Sequence, residues 1–68
     1  MSRNSFILIQ EKLNHFDVTV RDEDGVLVYH IGSLTTLRKA IELANIEQIE
    51  DALPGGIVVK LRNKNWRG

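Results

Sequence analysis

Alternation is cleanest over Phe16-Asp17-Val18-Thr19-Val20-Arg21, where Phe16, Val18 and Val20 fall in one phase and Asp17, Thr19 and Arg21 in the other. A period of two with one apolar phase is the mark of a half-buried antiparallel strand, and it predicts one over 16–21. Upstream, Phe6-Ile7-Leu8-Ile9 is apolar without interruption. Such a run predicts a strand, over 5–11, that is covered on both faces. A helix of the same domain would be one cover. The other would be the chain's own tail or a second copy, which makes Phe6–Ile9 a candidate homodimer contact. Lys12-Leu13-Asn14-His15 has turn character, Asn14 being the residue that best tolerates a left-handed backbone.

Asp22-Glu23-Asp24-Gly25 is the strongest turn signal, since Asp-Gly supplies the positive-φ positions of a tight hairpin. A third strand follows over 26–31. An even loop turns Leu27, Tyr29 and Ile31 toward the core with Val18 and Val20. It leaves Val26, Val28 and His30 on the opposite face with Thr19 and Arg21. A three-residue loop would exchange the two sets; the even loop is preferred because it buries Tyr29 and Ile31.

Gly32-Ser33 ends this strand, and Ser33 has the chemistry of a helix N-cap. Leu34, Leu37, Ile41 and Ala44 make one helical stripe. Ile46, Ile49 and Leu53 make a second, out of phase with the first, which predicts a bend near Asn45 and a short second helix. Pro54-Gly55-Gly56 stops that helix. Ile57 to Arg62 is the last strand, with Ile57, Val59 and Leu61 inward. The sum is a single α+β domain over 1–68 in the order β-β-β-α-β. An antiparallel sheet of about four strands carries one helix plus a short second helix on one face. Either the first strand or the far edge of the sheet would receive the last strand, and residues 63–68 form a tail without a buried pattern.

With 68 residues the core must be thin. The absence of Cys excludes disulfides, Cys-based zinc modules and thiolate nucleophiles, and suits a reducing compartment. No apolar run reaches the length of a signal-peptide core or a bilayer span, so the expectation is a cytoplasmic protein without a membrane partner.

Charge changes the picture at one end. Nine basic and nine acidic residues cancel, with a pI near 6.7, which opposes a general nucleic-acid binder. Yet residues 60–68 hold four cations and no acid, a net +4, while residues 1–59 hold five cations and nine acids, a net −4. If the last strand continues, Lys60, Arg62, Lys64 and Trp66 point the same way, toward the open face that carries Arg21 and His30. With Arg67, these seven residues are the predicted partner-binding set. On a larger protein, the cations would meet carboxylates and Trp66 would fill a pocket. On nucleic acid they would meet phosphates, and Trp66 would stack on a base. The plain structural alternative is a solvated edge on which Lys discourages aggregation.

Catalytic chemistry is sparse. His15, His30 and Asp17 permit a metal or acid–base pair to be drawn, but in no known ligand spacing. Neither Ser5 nor Ser33 sits in a nucleophile elbow. Gly55-Gly56 follows a helix instead of opening one, so it does not cradle phosphate. Asp22-Glu23-Asp24 lacks the Glu that closes a calcium loop. The expectation is a non-enzyme without cofactor or metal. In outline the chain resembles the phage-encoded inhibitors of bacterial defence systems, anti-CRISPR proteins among them, which are short, Cys-poor antiparallel sheets with one or two helices. That resemblance implies a compact competitor of a larger partner and assigns a role to no residue.

Overall fold

A computed structural model describes residues 4–62. The chain runs β1 (Phe6–Glu11), β2 (Phe16–Arg21), β3 (Leu27–Leu34), α1 (Leu37–Asp51) and β4 (Ile57–Lys60). The phase predicted for the second strand holds. Val18 and Val20 stand level with Ile9 and Ile7 of β1, and all four are fully buried beneath Ala40 and Ala44 of α1. Leu53 closes the core, and Phe16, Ile31, Leu34, Leu37, Leu43 and Ile57 pack around it. Burial of each large aliphatic side chain contributes about 1.5–3 kcal/mol. Small alanines on the helix let it lie close to the sheet.

The sheet is four-stranded in the order β3-β2-β1-β4. β1 is central, antiparallel to β2 and parallel to β4, so the sheet is mixed and not purely antiparallel. The cause is the single helix. Two hairpins bring β3 parallel to β1, and α1 then carries the chain back to the level where β3 began. A strand starting there must run the same way as β1, which is why parallel pairs need a crossover. Both edges of β1 are paired within the chain, but only one face is covered: Ile7 and Ile9 lie under α1, while Phe6 and Leu8 point to the opposite face, where no layer forms among the described residues.

No second helix forms. α1 continues without interruption through Asn45, 15 residues in all, which leaves Ile46 55 % and Ile49 82 % exposed while Leu53 is 3 % exposed. The out-of-phase stripe is splayed rather than accommodated by a bend. Ile41, placed on the first stripe by its spacing, is also exposed. Thr36, not Ser33, caps the helix, its hydroxyl accepting from the Lys39 amide at 3.2 Å. Ser33 instead lies in β3, because Gly32 does not break the strand. A Cβ at Gly32 would stand 3.2 Å from Leu43 Cδ2, so a glycine there allows close approach of sheet and helix. At the other end Ala52 adopts φ 49° and its amide donates to the Gln48 carbonyl at 2.7 Å. Gly55 and Gly56 then turn the chain into β4.

The Asp22–Gly25 turn forms as its residues predict. Asp22 accepts from the Asp24 and Val26 amides, and Gly25 has φ 85°. The loop is odd and not even: the Asp22 amide donates to the Val26 carbonyl at 3.0 Å, closing Glu23, Asp24 and Gly25. Leu27 therefore stands beside Arg21 on the open face, opposite to the expectation. The register of β2 and β3 shifts twice, leaving Val28 and Ile31 as unpaired bulge residues. Each bulge reverses the phase beyond it, so after Val28, Tyr29 returns to the helix side and His30 to the open side. Among the described residues, no helix is long and apolar enough to cross a membrane.

A candidate binding face on the open side of the sheet

Helix α1 covers one face of the sheet. On the other, register assigns side chains to three cross-strand rows. Leu27, Arg21 and Phe6 form the first; His30, Thr19, Leu8 and Val58 the second; Ser33, Asp17, Gln10 and Lys60 the third. The middle of the face is therefore apolar toward β4 and polar toward β3. Thr19 is 6 % exposed although it points away from the helix, because Leu8, His30 and the Arg21 side chain stand around it.

Of the predicted set, Arg21, His30 and Lys60 share this face, but not as one stripe. Arg21 and Lys60 lie two strands and four residues apart, about 16 Å from strand spacing and rise. Arg21 is occupied internally. Its Nε donates to Thr19 Oγ1 at 3.2 Å and a terminal nitrogen to the Gly25 carbonyl at 3.1 Å, which braces the turn. β4 ends at Lys60, so the alternation does not reach Arg62, whose backbone amide donates to Glu11 Oε1 at 2.9 Å. Lys64, Trp66 and Arg67 lie outside the described residues.

Asp17 gathers the polar groups. Ser33 Oγ donates to its Oδ1 at 2.8 Å, and His15 Nε2 and His30 Nε2 lie 3.1 and 3.6 Å from the same oxygen. The Ser33 hydroxyl, ahead of the two imidazoles, holds the Asp17 carboxyl below its ordinary value, and partial burial opposes this. Ser33 Oγ is also 3.4 Å from His30 Nε2. The three residue types are those of a nucleophilic triad, but the geometry differs. In a triad the carboxylate holds the ring nitrogen remote from the serine. Here serine and carboxylate meet the same imidazole nitrogen, and the serine proton goes directly to the carboxylate. The arrangement anchors β2, β3 and the 12–15 turn to one another. Among the described residues, no three His, Asp or Glu side chains are disposed to hold a metal ion.

In the sequence His15, His30 and Asp17 allow only a pair to be drawn, and Ser33 reads as a helix cap; the structure brings all four together. The signal was the spacing itself: Ser33 lies three residues beyond His30, and a bulge at Ile31 returns it to the same face.

No protein-family model, curated protein or solved structure matches the chain.

Proposed function

We propose that this chain is a small non-catalytic binding module, an inhibitor or accessory subunit of the phage-inhibitor kind, that docks on a larger protein through the open face of its sheet. One observation carries the proposal. Among the described residues nothing forms a second layer over that face, although Leu8 and Val58 lie at its middle and Phe6 and Leu27 beside them. A two-layer domain exposes contiguous apolar surface of this kind where another molecule covers it. Arg21, His30 and Lys60 would frame the contact, with Arg62, Lys64, Trp66 and Arg67 extending it beyond β4. A protein is favoured over nucleic acid because Asp17 puts a carboxylate on the same face and the chain has no net positive charge. The lack of Cys suits work in the reducing cytoplasm.

Affinity capture with two folded variants tests this. Val58→Lys places a charge on the open face, whereas Ile49→Lys places one on the outer side of α1. Loss of a stoichiometric protein partner with the first variant alone supports the proposal. Loss with the second alone moves the contact to the helix. Release of the captured material by nuclease turns the reading to nucleic acid.

A further inference from the structure

The two free edges of the sheet differ. β3 is interrupted by bulges at Val28 and Ile31, a device that blunts an edge against strand pairing. β4 is regular, and Ile57-Val58-Val59 are all β-branched. Its orientation follows from one bond: the Ile7 amide donates to the Gly56 carbonyl at 2.9 Å. Backbone groups alternate along a strand, so Gly56, Val58 and Lys60 address β1, while Ile57 and Val59 turn N–H and C=O to the open edge. Side chains along that edge are also available. Val58, Val59 and Leu61 are exposed, and so is Ile41 of α1 on the helix side.

Charge identifies the occupant. Lys60 makes no ion pair among the described residues, and the sequence from 60 onward is cationic without an acid. A second copy does not fit. Neither edge of a second copy supplies a carboxylate for Lys60, since β4 is Ile57-Val58-Val59-Lys60 and β3 holds no Asp or Glu. We infer that the outer edge of β4 accepts an extended, acidic segment of a partner protein as a fifth strand. Main-chain bonds at Ile57 and Val59 hold the segment, apolar side chains on its helix side meet Val59 and Ile41, and its carboxylates on the open side meet Lys60. The inference rests on the protein-binding reading above and adds the partner's chemistry.

The probe is a blocked peptide of alternating valine and glutamate, with a valine–lysine peptide as control, titrated into the isotope-labelled full chain. Amide exchange should slow at Ile57 and Val59 and stay unchanged at Val58 and Lys60, which are already bonded to β1. Val59→Pro deletes only an outward-facing donor, so it should keep the fold and abolish binding, since proline is tolerated where a strand's N–H faces outward. Lys60→Glu should weaken the glutamate peptide about fivefold and strengthen the lysine peptide by a similar factor. If the proline variant does not fold, this charge reversal alone carries the test. No saturable binding, protection on β3 or α1 instead, or equal affinity for both peptides overturns the inference. Should the peptide fail while Val58→Lys still abolishes partner capture, the edge is excluded and the open-face proposal stands.

Discussion

The hydroxyl of Tyr29 donates to the carboxylate of Glu47, tying edge strand β3 to the C-terminal half of α1. Asp51, one turn further along, accepts from the same hydroxyl at 3.1 Å. A single O–H between two carboxylates is hard to ionise, and the Tyr29 pKa is pushed well up, first by the bond to Glu47 and then by burial. The unfolded chain has no such restraint, and its tyrosine ionises near about pH 10.

Stability should therefore fall as pH rises past about 10, because the unfolded state then releases a proton that the folded state keeps. The chain has one tyrosine, so tyrosinate absorbance reports the event without ambiguity. Ionisation should coincide with unfolding. Tyr29→Phe should remove the alkaline loss attributable to this group and cost about 1 kcal/mol near neutrality. Ionisation at the ordinary tyrosine value with the fold intact would show that the hydroxyl is not held.

Asp17 has the opposite sign. Its carboxyl is held low, first by the Ser33 hydroxyl, so its contribution is present above the ordinary aspartate value near 3.8 and is lost as pH falls through the folded value. Ser33→Ala should cost about 1 kcal/mol at neutral pH and raise the Asp17 pKa. Denaturant midpoints across the acid range, with the carboxyl followed by NMR, check both. An unchanged Asp17 titration would contradict the assignment of Ser33 to the sheet.

Ile49 and Leu53 separate one uninterrupted helix from a bent one. Ile49→Glu should change stability by less than about 0.5 kcal/mol, because the side chain is already in solvent. Leu53→Ala, four residues on, should cost about 2–4 kcal/mol through the cavity it leaves. Equal costs in chemical denaturation would mean that both residues share a buried stripe.

The turn into β4 offers a stabilising change and a damaging one. Ala52 holds a left-handed φ that glycine adopts freely, so Ala52→Gly should stabilise by up to about 1 kcal/mol. Gly55→Ala should destabilise by more than about 1 kcal/mol, since its Cβ would come within 2.7 Å of Phe6 Cβ and 2.8 Å of the Ser5 carbonyl oxygen. Thermal midpoints should move in opposite directions.

Strands, turns and the core of β1 and β2 are legible in the sequence because period-two burial and Asp-Gly chemistry are local. The same holds for the shared face of Arg21, His30 and Lys60. What is not legible depends on contacts distant in sequence. Loop parity is not fixed by the turn residues, and an odd loop puts Leu27 on the open face; the Val28 bulge that restores Tyr29 to the core side leaves no mark in the composition of β3. Gly32 looks like a break until Leu43 is seen above it, and only then does Ser33 move from helix cap to partner of Asp17. Ile46, Ile49 and Leu53 share one spacing, but only Leu53 is buried, and spacing alone does not distinguish them. One long helix leaves Ile46 and Ile49 in water, Leu53 enters the core from the turn just past its end, and the direction of β4 follows from that helix.

The open face is tested most directly by photo-crosslinking in intact cells that make the protein. A photoreactive amino acid at position 58 lies on the bare side of the sheet, and one at position 49 lies on the solvent side of α1. An adduct with a larger protein at position 58 and none at 49 is the expected result. An adduct at 49 alone, or no adduct at 58 under conditions where the chain is captured with its partner, contradicts it.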